Sequence, residues 1–200
     1  MSYDPDLSRC QWPLIPRPNA LMVQYHDTEW GVPVHDDRKH FEFLVLDAFQ
    51  AGLSWSTVLN KREHFRAAFD DFDPVRIARY STRKVETLLG NAGIIRNRQK
   101  IEATIGNARQ FLALQERAGS FDDYVWQFVD GRTRHNRWRS HAQLPASTAQ
   151  SDAMSKALRA HGFRFVGTTI CYAYMQAAGL VNDHVTNCFR YEQLRHLSSS

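Results

Sequence analysis

Between Gly167 and Gly179 lie eleven residues, Thr-Thr-Ile-Cys-Tyr-Ala-Tyr-Met-Gln-Ala-Ala, without one charged side chain. A segment of that length, stopped by glycine, reads as a helix buried nearly all round. Such a helix has no face to offer water, so the rest of the chain must be arranged about it. The rest supplies amphipathic helices. Phe41, Leu44, Val45, Ala48 and Phe49 fall at helical steps behind a cap at Asp36 or Asp37, and that helix ends at Gln50-Ala-Gly-Leu53. Ser54 opens the next, from Trp55 to Phe69. Asp73-Pro74 opens a short helix to Tyr80, and Ser81 another that ends by Gly90 to Gly93. One long helix is expected over Ile94 to Ala118, with Ile95, Ile101, Ile105, Ala108, Phe111 and Leu112 inward. Ser120 and Asp123 form a near capping box for a helix through Val129, and Ser151 to Ala160 is helical. No strand-period alternation and no repeat persists. The fold class is therefore all-α, one domain over residues 1–200 of one or two lobes, with 1–8 and 192–200 as flexible ends. Four of the seven prolines fall before Ala20, which predicts an extended arm there.

A hydrophobic fraction of 43%, with twelve Phe, seven Tyr and five Trp, suffices for a core without help from a metal. No apolar run reaches a bilayer's length, which predicts no membrane partner. The first residues, Met-Ser-Tyr-Asp-Pro-Asp, lack a secretory pattern, and three cysteines suit a reducing compartment, so a cytoplasmic protein is expected. The net charge of +4 is compatible with nucleic acid but does not require it.

Several groups could carry chemistry. His184 and Cys188 are four apart, a spacing that on a helix places imidazole and thiol on one face. Cys10 and His26, with fifteen residues between, form a second such pair. Together they could make one Cys2His2 zinc site, and the alternative from spacing alone is a buried cysteine beside a surface histidine. Asp47 sits beside the apolar stripe of its helix, either as a functional acid or as a solvated edge residue. The segment Tyr25 to Pro33 is dense in aromatic and polar groups and reads as a short helix or turn. Gly131 to Ser140 is the most basic stretch, a solvated loop or a phosphate-contacting one. His161 to Gly167 joins two helices by a glycine-bounded turn that could aim backbone amides of Gly162, Arg164, Gly167 and Thr168 at a phosphate, as a helix-hairpin-helix does. A plain helical hairpin has the same pattern.

Glu29-Trp-Gly-Val-Pro33, Gln50-Ala-Gly-Leu-Ser-Trp55, Gly93-Ile-Ile-Arg96, and Gly162-Phe-Arg-Phe-Val-Gly-Thr-Thr-Ile-Cys171 through Asn182-Asp-His184 resemble the DNA-3-methyladenine glycosylase I (Tag) family, in order from about Arg9 to Cys188. The resemblance implies a helix-hairpin-helix glycosylase fold and one structural zinc ion, held by Cys10, His26, His184 and Cys188. It further implies excision of N3-methyladenine from alkylated double-stranded DNA, in a bacterial, nucleoid-associated setting and as a monomer. The family's aromatic positions match Trp12, Tyr25 and Trp55, and its pocket carboxylate matches Asp47. Gln50, Gly52 and Leu53 match a turn that presses into the gap left by a flipped base. Two positions depart from the family: Asp47 replaces glutamate, and Met22 replaces a common tyrosine. Asp183 is expected to orient His184 or cap its helix rather than serve as a base, and Cys171 to be core. No lysine is placed for Schiff-base chemistry. The alternative is a zinc-stapled DNA-binding or lesion-sensing module with weak or altered turnover.

Overall fold

The computed structural model describes residues 4–197. Parts of both expected flexible ends, residues 1–3 and 198–200, lie outside that range. Eleven α-helices form the described chain. Asn19 caps α1 (Ala20–Thr28) and Asp36 caps α2 (Asp37–Gln50), each by accepting backbone N–H groups of the first turn. The expected helix from Trp55 to Phe69 is broken into α3 (Trp55–Leu59) and α4 (Arg62–Ala68) at Asn60-Lys61. Next come α5 (Pro74–Ile77), shorter than expected, and α6 (Thr82–Gly90). The long helix α7 (Arg98–Ala118) starts at the Asn97 cap, four residues later than its apolar pattern suggests, and buries Leu114 more deeply than Leu112. Then follow α8 (Phe121–Trp126), α9 (Ala149–Ala160), α10 (Thr168–Ala177) and α11 (Phe189–Leu197). That last helix occupies residues expected to be a loose end.

The uncharged segment is α10. It packs against α9 and α2, and Cys171, Tyr172, Tyr174, Met175 and Ala177 on it are buried. Cys171 is core as expected, its thiol donating to the Val166 carbonyl at 3.4 Å and pushed up to about 12 by burial. Among the described residues, the one departure from an all-helical chain is a pair of two-residue strands. β1 (Arg134–His135) lies parallel to β2 (Val181–Asn182) and draws the basic stretch against the end of α10. Thr133 donates to the Gly179 carbonyl there, while Arg132, Arg134, Arg137 and Arg139 stay exposed.

Two further ties bear on the site. Arg62 of α4 donates to Glu29 at 2.8 Å and to Glu42 at 2.7 Å, so the C-cap of α1 is bound to both α2 and α4. Lys100 of α7 donates to the carbonyls of Phe49 and Ala51 at 2.8 and 2.7 Å, placing an ammonium on the C-terminus of α2. Among the described residues, no helix is long and apolar enough to cross a membrane.

Candidate functional site

Two adjacent residues of α1 face two different places. His26 turns toward the carboxy-terminal turn and Tyr25 toward a cavity. On the His26 side, the donor atoms of Cys10, His26, His184 and Cys188 lie within 4.8 Å of one another, all four residues buried. His184 and Cys188 do not share a helix as their spacing suggested. They sit in a tight turn after β2, closed by the Cys188 N–H donating to the Val185 carbonyl, and α11 begins only afterwards.

The distances test what this cluster could hold. A tetrahedral ion with metal–sulfur bonds of about 2.3 Å and metal–nitrogen bonds of about 2.05 Å sets sulfur and nitrogen ligands about 3.6 Å apart. Here Cys10 Sγ lies 3.6 Å from His184 Nδ1, Cys188 Sγ lies 3.6 Å from His26 Nε2, and Cys188 Sγ lies 3.4 Å from His184 Nδ1. The outward ring nitrogens are engaged as ligating imidazoles require. His26 Nδ1 is 2.8 Å from Asp27, which Arg9 also holds, and His184 Nε2 is 3.0 Å from the Trp30 carbonyl. The residues fit a closed, four-ligand metal site. Cys188 is held below the ordinary thiol range by the Cys10 thiol beside it, against the effect of burial, with His184 and His26 adding to the pull, while Cys188 and burial hold Cys10 above that range. A four-ligand site needs both sulfurs as thiolates, and a bound cation would supply the charge that brings Cys10 down as well. Gly31 is required by this packing. Its φ is +81°, and an added Cβ would lie 2.9 Å from Leu194 and 3.3 Å from the His184 ring.

On the Tyr25 side lies a cavity of about 440 Å³. Trp12, Tyr25 and Trp55 all line it, as does Asp47, so the residues nominated as a base pocket converge. Trp12 meets Tyr25 edge-on at 6.3 Å between centroids, and Tyr25 meets Trp55 at 5.2 Å. Met22 lines the wall too, and Gln50 closes the end of α2 against it. Asp47 is not a solvated edge residue. It is 2% exposed, and its Oδ2 has no hydrogen-bond partner. The indole N–H groups of Trp12 and Trp55 are likewise buried and unpartnered. Burial pushes the Asp47 carboxyl well above its ordinary value, and it pushes the Tyr25 hydroxyl up too, with Asp47 adding to that rise. Three orphaned polar groups around one cavity suit a flat ligand with donors and acceptors on its rim.

The remaining nominated residues are placed less uniformly. Gly52 and Leu53 form the exposed tip after α2, with Leu53 42% exposed, and the Leu53 N–H donates to the Gln50 carbonyl at 2.6 Å. Gly162 and Arg164 are exposed in the turn between α9 and α10, where Gly162 adopts φ +87°. Asn107 of α7 braces that turn by pairing with both backbone groups of Arg164. Gly167 precedes α10, whose N-terminus has no side-chain cap. The Thr168 hydroxyl is already committed to Asp152 and Ser151, which leaves its backbone N–H as the group on offer. Asp183 departs from its expected role. It neither orients His184 nor caps a helix, but accepts from Asn136, Trp138, Tyr172 and Gln176. Gln176 and the segment from His141 to Ala146, which complete the cavity wall, carried no sequence nomination. The signal for Gln176 was there in its being the one carboxamide in an apolar helix.

Comparisons with known proteins identify the family. The methyladenine glycosylase family model matches residues 15–191. The chain is similar to DNA-3-methyladenine glycosylase 1 of Escherichia coli K12, 50% identical over 92% of this chain and 97% of that protein. It is also similar to the DNA-3-methyladenine glycosylase of Haemophilus influenzae, 42% identical over 90% and 96%. Among solved structures, a crystal structure of 3-methyladenine DNA glycosylase I aligns at 54% identity with a TM-score of 0.87, covering 91% of this chain and 98% of that one. The Staphylococcus aureus enzyme, studied for its recognition of 3-methyladenine, aligns at 28% identity and a TM-score of 0.87, covering 91% and 97%.

Proposed function

We infer that this chain, which belongs to the methyladenine glycosylase family, is a DNA glycosylase that excises N3-methyladenine from alkylated DNA by hydrolysing the N-glycosidic bond. One observation carries the reading: the sole carboxylate of an aromatic cavity is buried, with one oxygen left unpartnered. N3-methylation makes adenine in DNA cationic and weakens its bond to the sugar, so the enzyme gains most by binding the cation. The faces of Trp12, Tyr25 and Trp55 attract a cation over neutral adenine. Asp47, reluctant to ionise in the empty cavity, is drawn to its carboxylate form when a cation enters and accepts from the base. The base must leave the stack to reach this site, at a cost of a few kcal/mol. Leu53, exposed at a tip stiffened by Lys100, is suited to fill the gap it leaves.

The surface suits a duplex. The turn at Gly162 to Gly167 and the uncapped N-terminus of α10 act as a helix-hairpin-helix on backbone phosphate. Zinc is the ion the buried donor set favours, one per chain. Cys10, His26, His184 and Cys188 would hold it with no position open, so its part is structural. It would clasp the proline-rich arm, and with it Trp12, to the carboxy-terminal turn. Hydrolysis that leaves an abasic site, with no covalent enzyme intermediate, is the reaction read here. A monomer in the bacterial cytoplasm, close to the nucleoid, completes the reading.

Purified protein incubated with alkylated duplex DNA is expected to release free 3-methyladenine, measured by chromatography. Binding without release, beside an active control enzyme, would leave only a lesion-sensing module.

A further inference from the structure

Asp183 accepts four hydrogen bonds. Asn136 Nδ2 and Trp138 Nε1 reach Oδ1 at 2.7 and 2.8 Å, and Tyr172 Oη and Gln176 Nε2 reach Oδ2 at 2.5 and 2.7 Å. A carboxylate has about four acceptor sites, so this one is filled and has none left to take a proton from water. The residue is 1% exposed and is no base. Its neighbours show what it does instead. Trp138 can only donate, and burial beside the Asp183 charge keeps the Tyr172 hydroxyl protonated. The fourth donor, Gln176, lies on the cavity wall.

A glutamine amide has two faces that ordinarily can exchange. Here the carboxylate settles which one points where. Nε2 faces Asp183, so Oε1 is turned away from it at the other end of the amide, where no group among the described residues donates to it and it is not fully buried. The backbone adds rigidity, because the Gln176 carbonyl accepts from the Gly31 N–H at 3.0 Å. Ala173, one turn earlier on the same helix face, and the adjacent Ala177 also line the cavity, and both are too small to cover the carboxamide.

We propose that Gln176 is a specificity-determining residue that selects adenine over guanine, and that Asp183 is the residue that positions it. The proposal rests on the glycosylase reading. Adenine carries an amine at C6, a donor that Oε1 accepts. Guanine carries a carbonyl oxygen there, and two acceptors face each other with neither satisfied. Asp47 supplies attraction for any cationic purine, whereas Gln176 reads which purine it is.

The experiment compares 3-methyladenine with 3-methylguanine in two assays. One is release of each base from methylated duplex DNA. The other is binding of each free base, followed by tryptophan fluorescence, which needs no turnover. Gln176→Met, similar in size but unable to accept, is expected to lower the adenine-to-guanine ratio about 10-fold in both assays. Asp183→Asn frees the amide to turn over and present Nε2 to the cavity, so 3-methylguanine binding should rise in absolute terms while 3-methyladenine binding falls. A merely structural role for Asp183 would weaken both bases alike. Unchanged ratios in Gln176→Met overturn the assignment, whether or not Asp183→Asn folds. A wild-type protein that binds the bases with this preference but releases none supports the assignment and sinks only the glycosylase reading.

Discussion

The two sites flanking α1 are built from the same materials to opposite ends. Both are buried, both mix aromatic and ionisable side chains, and His26 and Tyr25 assign neighbouring residues of one helix to each. At the Cys2His2 cluster every polar atom faces another, with sulfur and nitrogen 3.4–3.6 Å apart and the outer ring nitrogens engaged. In the cavity the reverse holds, and Asp47 Oδ2 and the indole N–H groups of Trp12 and Trp55 have no partner. Buried polar groups left unpaired cost free energy, a cost that a ligand bound in the cavity would offset. On the proposed reading, one region is finished by an ion that stays and the other by a base that comes and goes.

The largest effect should come from opening the closed site. Cys188→Ala removes a ligand and leaves three buried donors without their ion. Zinc content is expected to fall from one equivalent per chain to less than about a tenth, and Tm by roughly 10 °C. Elemental analysis and calorimetry measure these. Activity should fall too, since Trp12 sits 5.4 Å from the His26 ring and follows the arm. A variant with wild-type Tm would show that the cluster holds nothing that matters to the fold.

Asp47 tests the open site, and there stability and activity should part company. Asp47→Asn keeps the shape but removes the charge, and release of 3-methyladenine is expected to drop about 100-fold. Asp47→Glu keeps the charge and should retain activity. Burial holds the folded-state pKa of Asp47 above its ordinary 3.8. The folded form therefore prefers the protonated acid, and the penalty for ionising it is absent below the unfolded pKa and grows as pH rises toward the folded one. Asp47→Asn escapes that penalty, so its Tm should exceed the wild type's by a margin that widens as pH climbs from about 4. Equal Tm values at all pH would mean the carboxylate has a partner after all.

These two regions were not equally legible in the sequence. Cysteine and histidine are scarce enough that Cys10, His26, His184 and Cys188 stand out, though the helix imagined for the last pair is a turn. Period alone could not place Asp47, because an acid at the edge of an apolar stripe is buried or solvated according to what packs above it. Here that is α10, which only the tertiary fold supplies. Helix existence was readable from apolar spacing, and its ends less so. The break at Asn60-Lys61 and the late start at Asn97 come from caps and from packing, which override a pattern that could have continued. Lys100 and the Asp183 network were invisible for a related reason, while Gln176 showed only as the one carboxamide in an apolar helix. Lys100 acts through carbonyls 51 and 49 residues away, and Asp183 gathers donors from both α10 and the stretch at Asn136 and Trp138, which no local spacing records.

Trp12 belongs to both regions and gives the smallest and most discriminating change. Its ring meets His26 at 5.4 Å, Trp30 at 5.2 Å and Tyr25 at 6.3 Å, while its Nε1 is buried without a partner. Trp12→Phe keeps an aromatic face and deletes only that orphan donor with part of the ring. If the ring serves the clasp and the N–H serves the base, zinc should stay at one equivalent. Tm should shift by no more than about 2 °C, because the lost ring packing is offset by removing an unpaired polar group. Affinity for 3-methyladenine should fall by about 3- to 10-fold, the worth of one hydrogen bond. Full affinity would mean that the indole N–H stays unpaired even with the base bound, and that the cavity recognises its ligand by the ring faces and Asp47 alone.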